Sequence, residues 1–175
     1  NPYGQSKLMV ESMLQDICSA NDFNAICLRY FNAAGAHKSG EIGEVHDPET
    51  HLIPNVLKAA LSCESDLKVF GDDYPTPDGT CVRDYVHVTD LAQAHSLALD
   101  YMQENKGFSA FNLGNGDGFS VLEVVKGCEY IANNKIQYQV DGRRDGDPAV
   151  LVADNELSLR ELNWNPEYSD INDII

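Results

Sequence analysis

The chain has 175 residues, 43% of them hydrophobic and 23% charged, which is ordinary for a globular protein and long enough to bury a core. Its net charge of −16 argues against nucleic acid and anionic membrane as partners, since both would repel it. A small anionic ligand is not excluded, because it needs only a local cluster of cations.

Residues 3–20 place Leu8, Val10, Met13, Leu14 and Ile17 at helical spacing, so a helix is expected there. Asn21-Asp22 ends it. "NAICLRYFN" is β-rich and apolar and reads as a buried strand. A Gly-rich and polar loop follows, from about Ala33 to Thr50. "HLIPNVLKAALSC" reads as a helix, with Pro54 tolerable only near its first turn. "LKVFG" is a short strand and "DDYPTPDGT" is turn chemistry.

"DYVHV" is the next strand. Thr89-Asp90 can cap the helix "LAQAHSLALDYMQ", and "FSAFNLG" is another strand. Ser120 with Glu123 makes a capping box for "VLEVVKGCEYIA". "KIQYQV" and "VLVAD" read as short strands, and "NELSLRELNW" as a final helix. The alternation argues α/β with a mainly parallel sheet.

Five cysteines (Cys18, Cys27, Cys63, Cys81, Cys128) give an odd count without a CxxC pair, which fits free, mostly buried thiols in a reducing cytosol. No apolar run reaches the roughly 18 residues of a membrane span. His37, His46 and His51 lack HxxxH or HExxH spacing, so no metal is expected. His87 and His95 are expected to pack, one at a strand and one on a helix. The nearest glycine cluster, Gly114-Asn115-Gly116-Asp117-Gly118, has the wrong spacing for a dinucleotide turn and follows a late strand.

Tyr3 and Lys7 share a helix face one turn apart. A free phenol has a pKa of about 10 and is a poor base at neutral pH. A neighbouring ammonium favours the phenolate, which can then take a hydroxyl proton. On spacing alone, an exposed helix carrying an unremarkable Tyr and Lys is the other reading. Arg83 and Arg144 suit phosphate as planar forks. Otherwise Arg83 pairs with Asp84 and Arg144 lies in a solvated turn.

The ordered series "NPYGQSKLMVE", "LRYFNAAGAH", "ETHLIP", "VFGDDYPTPDGTCVRDYVHVTDLAQAH", "FNLGNGDGFSVLEVV" and "RRDGDPAVLVAD" resembles, over essentially the whole chain, the C-terminal half of the UDP-glucose 4-epimerases. These belong to the extended short-chain dehydrogenase/reductase family. The YxxxK motif is shared across that superfamily. "DGTCVRDYVHVTDLA" and "RRDGDPA" are much more specific to its nucleotide-sugar epimerase branch.

The resemblance implies NAD as cofactor and the interconversion of UDP-glucose and UDP-galactose at C4. Tyr3 would be the acid/base. Lys7 would lower its pKa and bond the nicotinamide ribose, and Phe31 would line the nicotinamide pocket. The resemblance gives Asn32 to the substrate diphosphate, His51 (often Asn in the family) and Leu52 to the nucleotide, and the backbone of Lys68, Val69 and Phe70 to the uracil. It also gives Arg83 and Arg144 to the diphosphate. Tyr85 would touch the phosphate or only pack. Asp147 would bond a ribose hydroxyl or cap the turn before Pro148, and Leu151 would border the sugar.

The implied parent is α/β, with a Rossmann-type NAD domain and a smaller substrate domain. Residues 1–33 and 85–114 fall to the NAD side, and 34–84 and 115–175 to the substrate side. The chain then reads as a fragment that is inactive alone, from a cytoplasmic homodimer. The alternatives are another epimerase or dehydratase of the superfamily, or a non-catalytic remnant that binds nucleotide sugar.

Overall fold

The computed structural model describes residues 1–62 and 66–175. Cys63, which the sequence reading placed at a helix end as a free thiol, lies outside the described residues. The fold is mixed α/β. Helix α1 runs Pro2–Ala20, followed by strands β1 (Ala25–Tyr30) and β2 (Asn32–Ala34). Helix α2 (Leu52–Leu61), β3 (Lys68–Phe70), β4 (Val82–Arg83), β5 (Tyr85–His87) and α3 (Val88–Glu104) come next. Then follow β6 (Phe108–Leu113), β7 (Phe119–Ser120), α4 (Val121–Ala132), β8 (Gln139–Asp141), β9 (Val150–Leu151), α5 (Glu156–Glu161) and α6 (Ile171–Ile174).

Strand pairing is mainly parallel, as the alternation requires. β1 lies parallel to β6, β2 to β5, β3 to β8 and β4 to β9, and β7 alone runs antiparallel, beside β4. These form four small sheets. Three pieces, β2, β4 and β7, escaped the sequence reading because two or three residues carry too little periodicity. Helix α6 escaped it for the same reason of length.

Two apolar cores organise the chain. One joins α2, α4 and α6 through Ile53, Val56, Val124, Val125, Ile171 and Ile174, with Tyr85 beside them. The other joins β6 and α3 through Val86, Leu91, Ala94, Phe111 and Leu113, and Leu162 and Trp164 enter it from the end of α5. Full burial of an aliphatic side chain is worth roughly 1.5–3 kcal/mol, so each cluster is a substantial stabilising unit. Trp164 is fixed by its indole N–H, which donates to the Asp90 carbonyl at 3.0 Å.

Two expectations need correcting. β1 was expected to be buried, but only Ala25 is, because β6 is its one strand partner among the described residues. Helix α1 forms where it was expected and leaves Leu8, Met9, Val10, Met13 and Ile17 exposed. The α3 cap is His87, whose ring accepts from the Thr89 N–H at 3.1 Å. Asp90 is occupied elsewhere: its carboxylate accepts from the backbone N–H of Glu167 and Tyr168 at 2.9 and 3.1 Å.

His87 stacks on Tyr168, and burial pushes its ring pKa down. Gly35 is held at φ +80° against this ring, and any Cβ there would lie 2.2 Å from it. The α4 capping box forms as read, with Ser120 accepting from Glu123 N–H and Glu123 from Ser120 N–H. Among the described residues no helix is long and apolar enough to cross a membrane.

Candidate functional site

Helix α1 begins with its own cap. The Asn1 side chain accepts from Gly4 N–H at 2.8 Å, and Pro2 occupies the first helical position, where its missing N–H costs nothing. This puts Tyr3 in the first turn and Lys7 one turn on. The Lys7 ammonium sits 5.1 Å from the Tyr3 ring centroid, and Tyr3 is 73% exposed. The two side chains thus meet as the spacing predicts, with a phenol open to a ligand. Among the described residues Lys7 has no carboxylate partner, so its charge remains available to a phenolate or a ribose hydroxyl.

A second group is assembled around Asp84. Its carbonyl accepts from Asn32 twice, from the backbone N–H at 3.1 Å and the amide at 2.7 Å. Its backbone N–H donates to the Leu151 carbonyl at 3.2 Å, and Arg83 stands opposite Leu151 in the β4–β9 register. Asn32, Arg83 and Leu151 are thereby brought to one place at the ends of short strands. Phe31, half-buried, is tied to β6 by its N–H to the Leu113 carbonyl at 3.1 Å.

Arg83 does not pair with Asp84. Its guanidinium reaches the Asp147 carboxylate at 2.9 Å and the Val82 carbonyl at 2.7 Å. The Asp84 side chain turns inward instead and accepts backbone N–H groups from Asn115, Gly116 and Ala153 at 2.9, 3.1 and 3.1 Å. Burial pushes its carboxyl pKa up against these three donors. The motif named Asp84 only as a partner for Arg83. That it gathers two distant segments, at Asn115-Gly116 and at Ala153, could not be seen from its neighbours in the chain.

Arg144 lies over the Phe70 ring with 4.0 Å to the centroid, and Arg143 over Tyr74 at 4.2 Å. The β3–β8 pair brings Lys68 to Asp141 at 2.9 Å and leaves Val69 buried. Tyr85 is buried in the α2–α4 core, where desolvation pushes its phenol pKa upward. His51 caps α2 without a side-chain bond to the helix, and Leu52 opens that helix. The His51 ring faces Glu49 and Glu44 at 3.0 and 3.2 Å, with the His46 ring 4.7 Å away between centroids. Backbone N–H bonds, from His51 first and then Thr50, hold the Glu49 carboxyl below its ordinary value.

Residues 1–114 match the NAD dependent epimerase/dehydratase family. The chain belongs to that family. It is 47% identical over all 175 residues to the UDP-glucose 4-epimerase of Halalkalibacterium halodurans, covering 52% of that protein. With the Erwinia amylovora UDP-glucose 4-epimerase it shares 51% over 168 residues, 94% of this chain and 49% of that one. The chain thus spans about half the length of the curated relatives it matches.

The UDP-glucose 4-epimerase of Brucella ovis, solved in complex with NAD, superposes with a TM-score of 0.94 at 48% identity, over 100% of this chain and 54% of that one. The enzyme from Stenotrophomonas maltophila, solved with NAD and formylated UDP-arabinopyranose, gives 0.93 at 44%, over 99% and 52%. The mixed α/β fold expected from the sequence is that of these neighbours.

Proposed function

We propose that the full-length protein carrying this chain interconverts UDP-glucose and UDP-galactose by NAD-dependent epimerisation at C4. The observation that carries this reading is the end-to-end match, at about 47% identity, to UDP-glucose 4-epimerases, in a chain whose Tyr3 and Lys7 meet on one helix face.

The exposed Tyr3 phenol and the Lys7 ammonium, which has no carboxylate partner among the described residues, fit a nicotinamide and its ribose, and Phe31 is assigned to line the nicotinamide pocket. NAD, when bound, supplies a reversible hydride acceptor at the sugar C4. Tyr3 takes the C4 hydroxyl proton and later returns it. Lys7 stabilises the phenolate while Tyr3 is deprotonated. Arg83 and Arg144 hold the diphosphate by charge-assisted forks, Asn32 adds an amide, and Asp147 bonds the ribose. The 4-keto sugar pivots about the anchored diphosphate and presents its other face.

His51 and Leu52 lie at a helix N-terminus, which suits an anion. The β3 backbone at Lys68, Val69 and Phe70 reads the uracil, and Leu151 borders the sugar. Residues 1–33 and 85–114 belong to the NAD side, and 34–84 and 115–175 to the substrate side. The full-length protein is a cytoplasmic homodimer in this reading, and the isolated chain, which holds no glycine-rich dinucleotide turn, is inactive.

Tyr3→Phe in the full-length protein tests the assignment. It removes the proton acceptor and keeps the ring, so UDP-galactose turnover is expected to fall roughly 10²–10⁴-fold with UDP-sugar binding little changed. Undiminished turnover would remove Tyr3 from the chemistry.

A further inference from the structure

The loop that precedes α2 gathers chemistry of which the epimerase reading takes only His51. His46, Glu49 and His51 each offer one donor atom, and the three atoms lie within 4.8 Å of one another. The His51 Nδ1 is 3.0 Å from Glu49 Oε1, and the His46 Nδ1 is 3.9 Å from that same oxygen. A tetrahedral ion with ligands at about 2.0–2.2 Å would hold its donors roughly 3.3 Å apart, so small side-chain rotations suffice.

Glu49 is the fixed member. Its side chain is 9% exposed, and Oε1 accepts from the backbone N–H of Thr50 and His51 at 2.9 and 2.8 Å. The two imidazoles are about half exposed and free to adjust. Glu44 approaches the His51 Nδ1 from another side at 3.2 Å. The His51 Nδ1 thus faces carboxylate oxygens of Glu49 and Glu44 at 3.0 and 3.2 Å, the side from which a cation would be held.

We propose that His46, Glu49 and His51 form a binding site for a late first-row divalent cation of the Zn²⁺ class, with Glu44 at its open edge. Two imidazole nitrogens and one carboxylate are borderline donors. They suit Zn²⁺ or Cu²⁺ and discriminate against Mg²⁺ and Ca²⁺, which take oxygen. Spacing concealed the site: the order is His-x-x-Glu-x-His in a loop, where no helical face sets the geometry. The proposal shares His51 with the epimerase reading, and its readout is metal binding alone, measured on variants of residues that reading does not use.

Co²⁺ titration of the full-length protein, followed by visible d–d absorption and displaced by Zn²⁺, tests it. One ion per chain is expected, with the strong bands of a four-coordinate site and no thiolate charge-transfer band. His46→Ala and Glu49→Gln should each weaken binding at least about tenfold, since even outer partners of a metal ligand are worth 10–100-fold. The Gln retains an oxygen for the two backbone N–H groups, so the loop keeps its shape, which circular dichroism confirms. Non-saturating uptake, a thiolate band, or unchanged affinity in either variant would overturn the site.

Discussion

At Asp78 a single carboxylate ties a turn to a helix. One oxygen accepts from the Thr80 N–H and hydroxyl at 2.9 and 2.8 Å, and the other accepts the Ser120 hydroxyl. Burial alone would raise the pKa, but the Ser120 and Thr80 donors outweigh it and hold the carboxyl below its ordinary 3.8. A depressed acid contributes stability that is present above its unfolded value and lost as pH falls through the folded one. Asp78→Ala should therefore cost about 1–3 kcal/mol near pH 7, and the penalty should shrink as the pH drops below about 4. Urea midpoints of both proteins at pH 7 and pH 3 measure this. A penalty equal at both values would mean that the carboxylate charge contributes nothing. At this scale the sequence was legible where chemistry is local. Tyr3 and Lys7 are one turn apart, and any helix would bring them together. Asp84 and Asp147 were illegible because their partners are remote: Arg83 meets Asp147 64 residues away.

Helix α4 was the most legible element, since Ser120 and Glu123 specify its start by bonds to their own backbone. Ser120 does more than cap, because its hydroxyl also reaches Asp78. Loss of a cap costs typically about 1 kcal/mol, and Ser120→Ala should exceed this by also leaving Asp78 short of a donor. Glu123→Ala removes only the reciprocal bond to the Ser120 N–H, 2.7 Å long, and should cost less. Chemical denaturation of the two variants separates them, and equal losses would reduce Ser120 to a simple cap. The α3 start was misread for a physical reason. Thr89 and Asp90 are good cap residues by type, yet tertiary demand recruited Asp90 to the Glu167 and Tyr168 amides and left the cap to His87. The turn between β3 and β4, by contrast, was legible as turn chemistry. Gly79 sits at φ +81° with the Asp72 carbonyl 2.0 Å from where a Cβ would lie, so the turn closes only around glycine.

Across the whole molecule, 28 acidic residues face 12 basic ones. Several of the cations are held in pairs: Arg29 with Glu11, Arg83 with Asp147, Lys68 with Asp141 and Arg143 with Asp73. What remains is a surface that repels itself. Raising NaCl from about 10 mM to about 150 mM shortens the screening length from roughly 30 Å to roughly 8 Å. The melting temperature at pH 7 should rise, by a few degrees for each kcal/mol relieved. A fall would show that the ion pairs outweigh the net repulsion. The α/β class and the parallel pairing were legible at this scale from alternation alone. The two separate cores were not, because a helix pattern states that a face is buried without naming what buries it.

The parallel pairings also set a timetable. Among the described residues no strand pairs with its neighbour in sequence. Asn24, just before β1, bonds Gly107 83 residues on, and Lys68 meets Asp141 73 residues on. A ribosome adding about 5–20 residues per second releases β1 on the order of ten seconds before β6 exists to receive it. For that interval the edge of β1 that β6 will cover waits for its partner. The delay is written into the order of the strands rather than into any one residue.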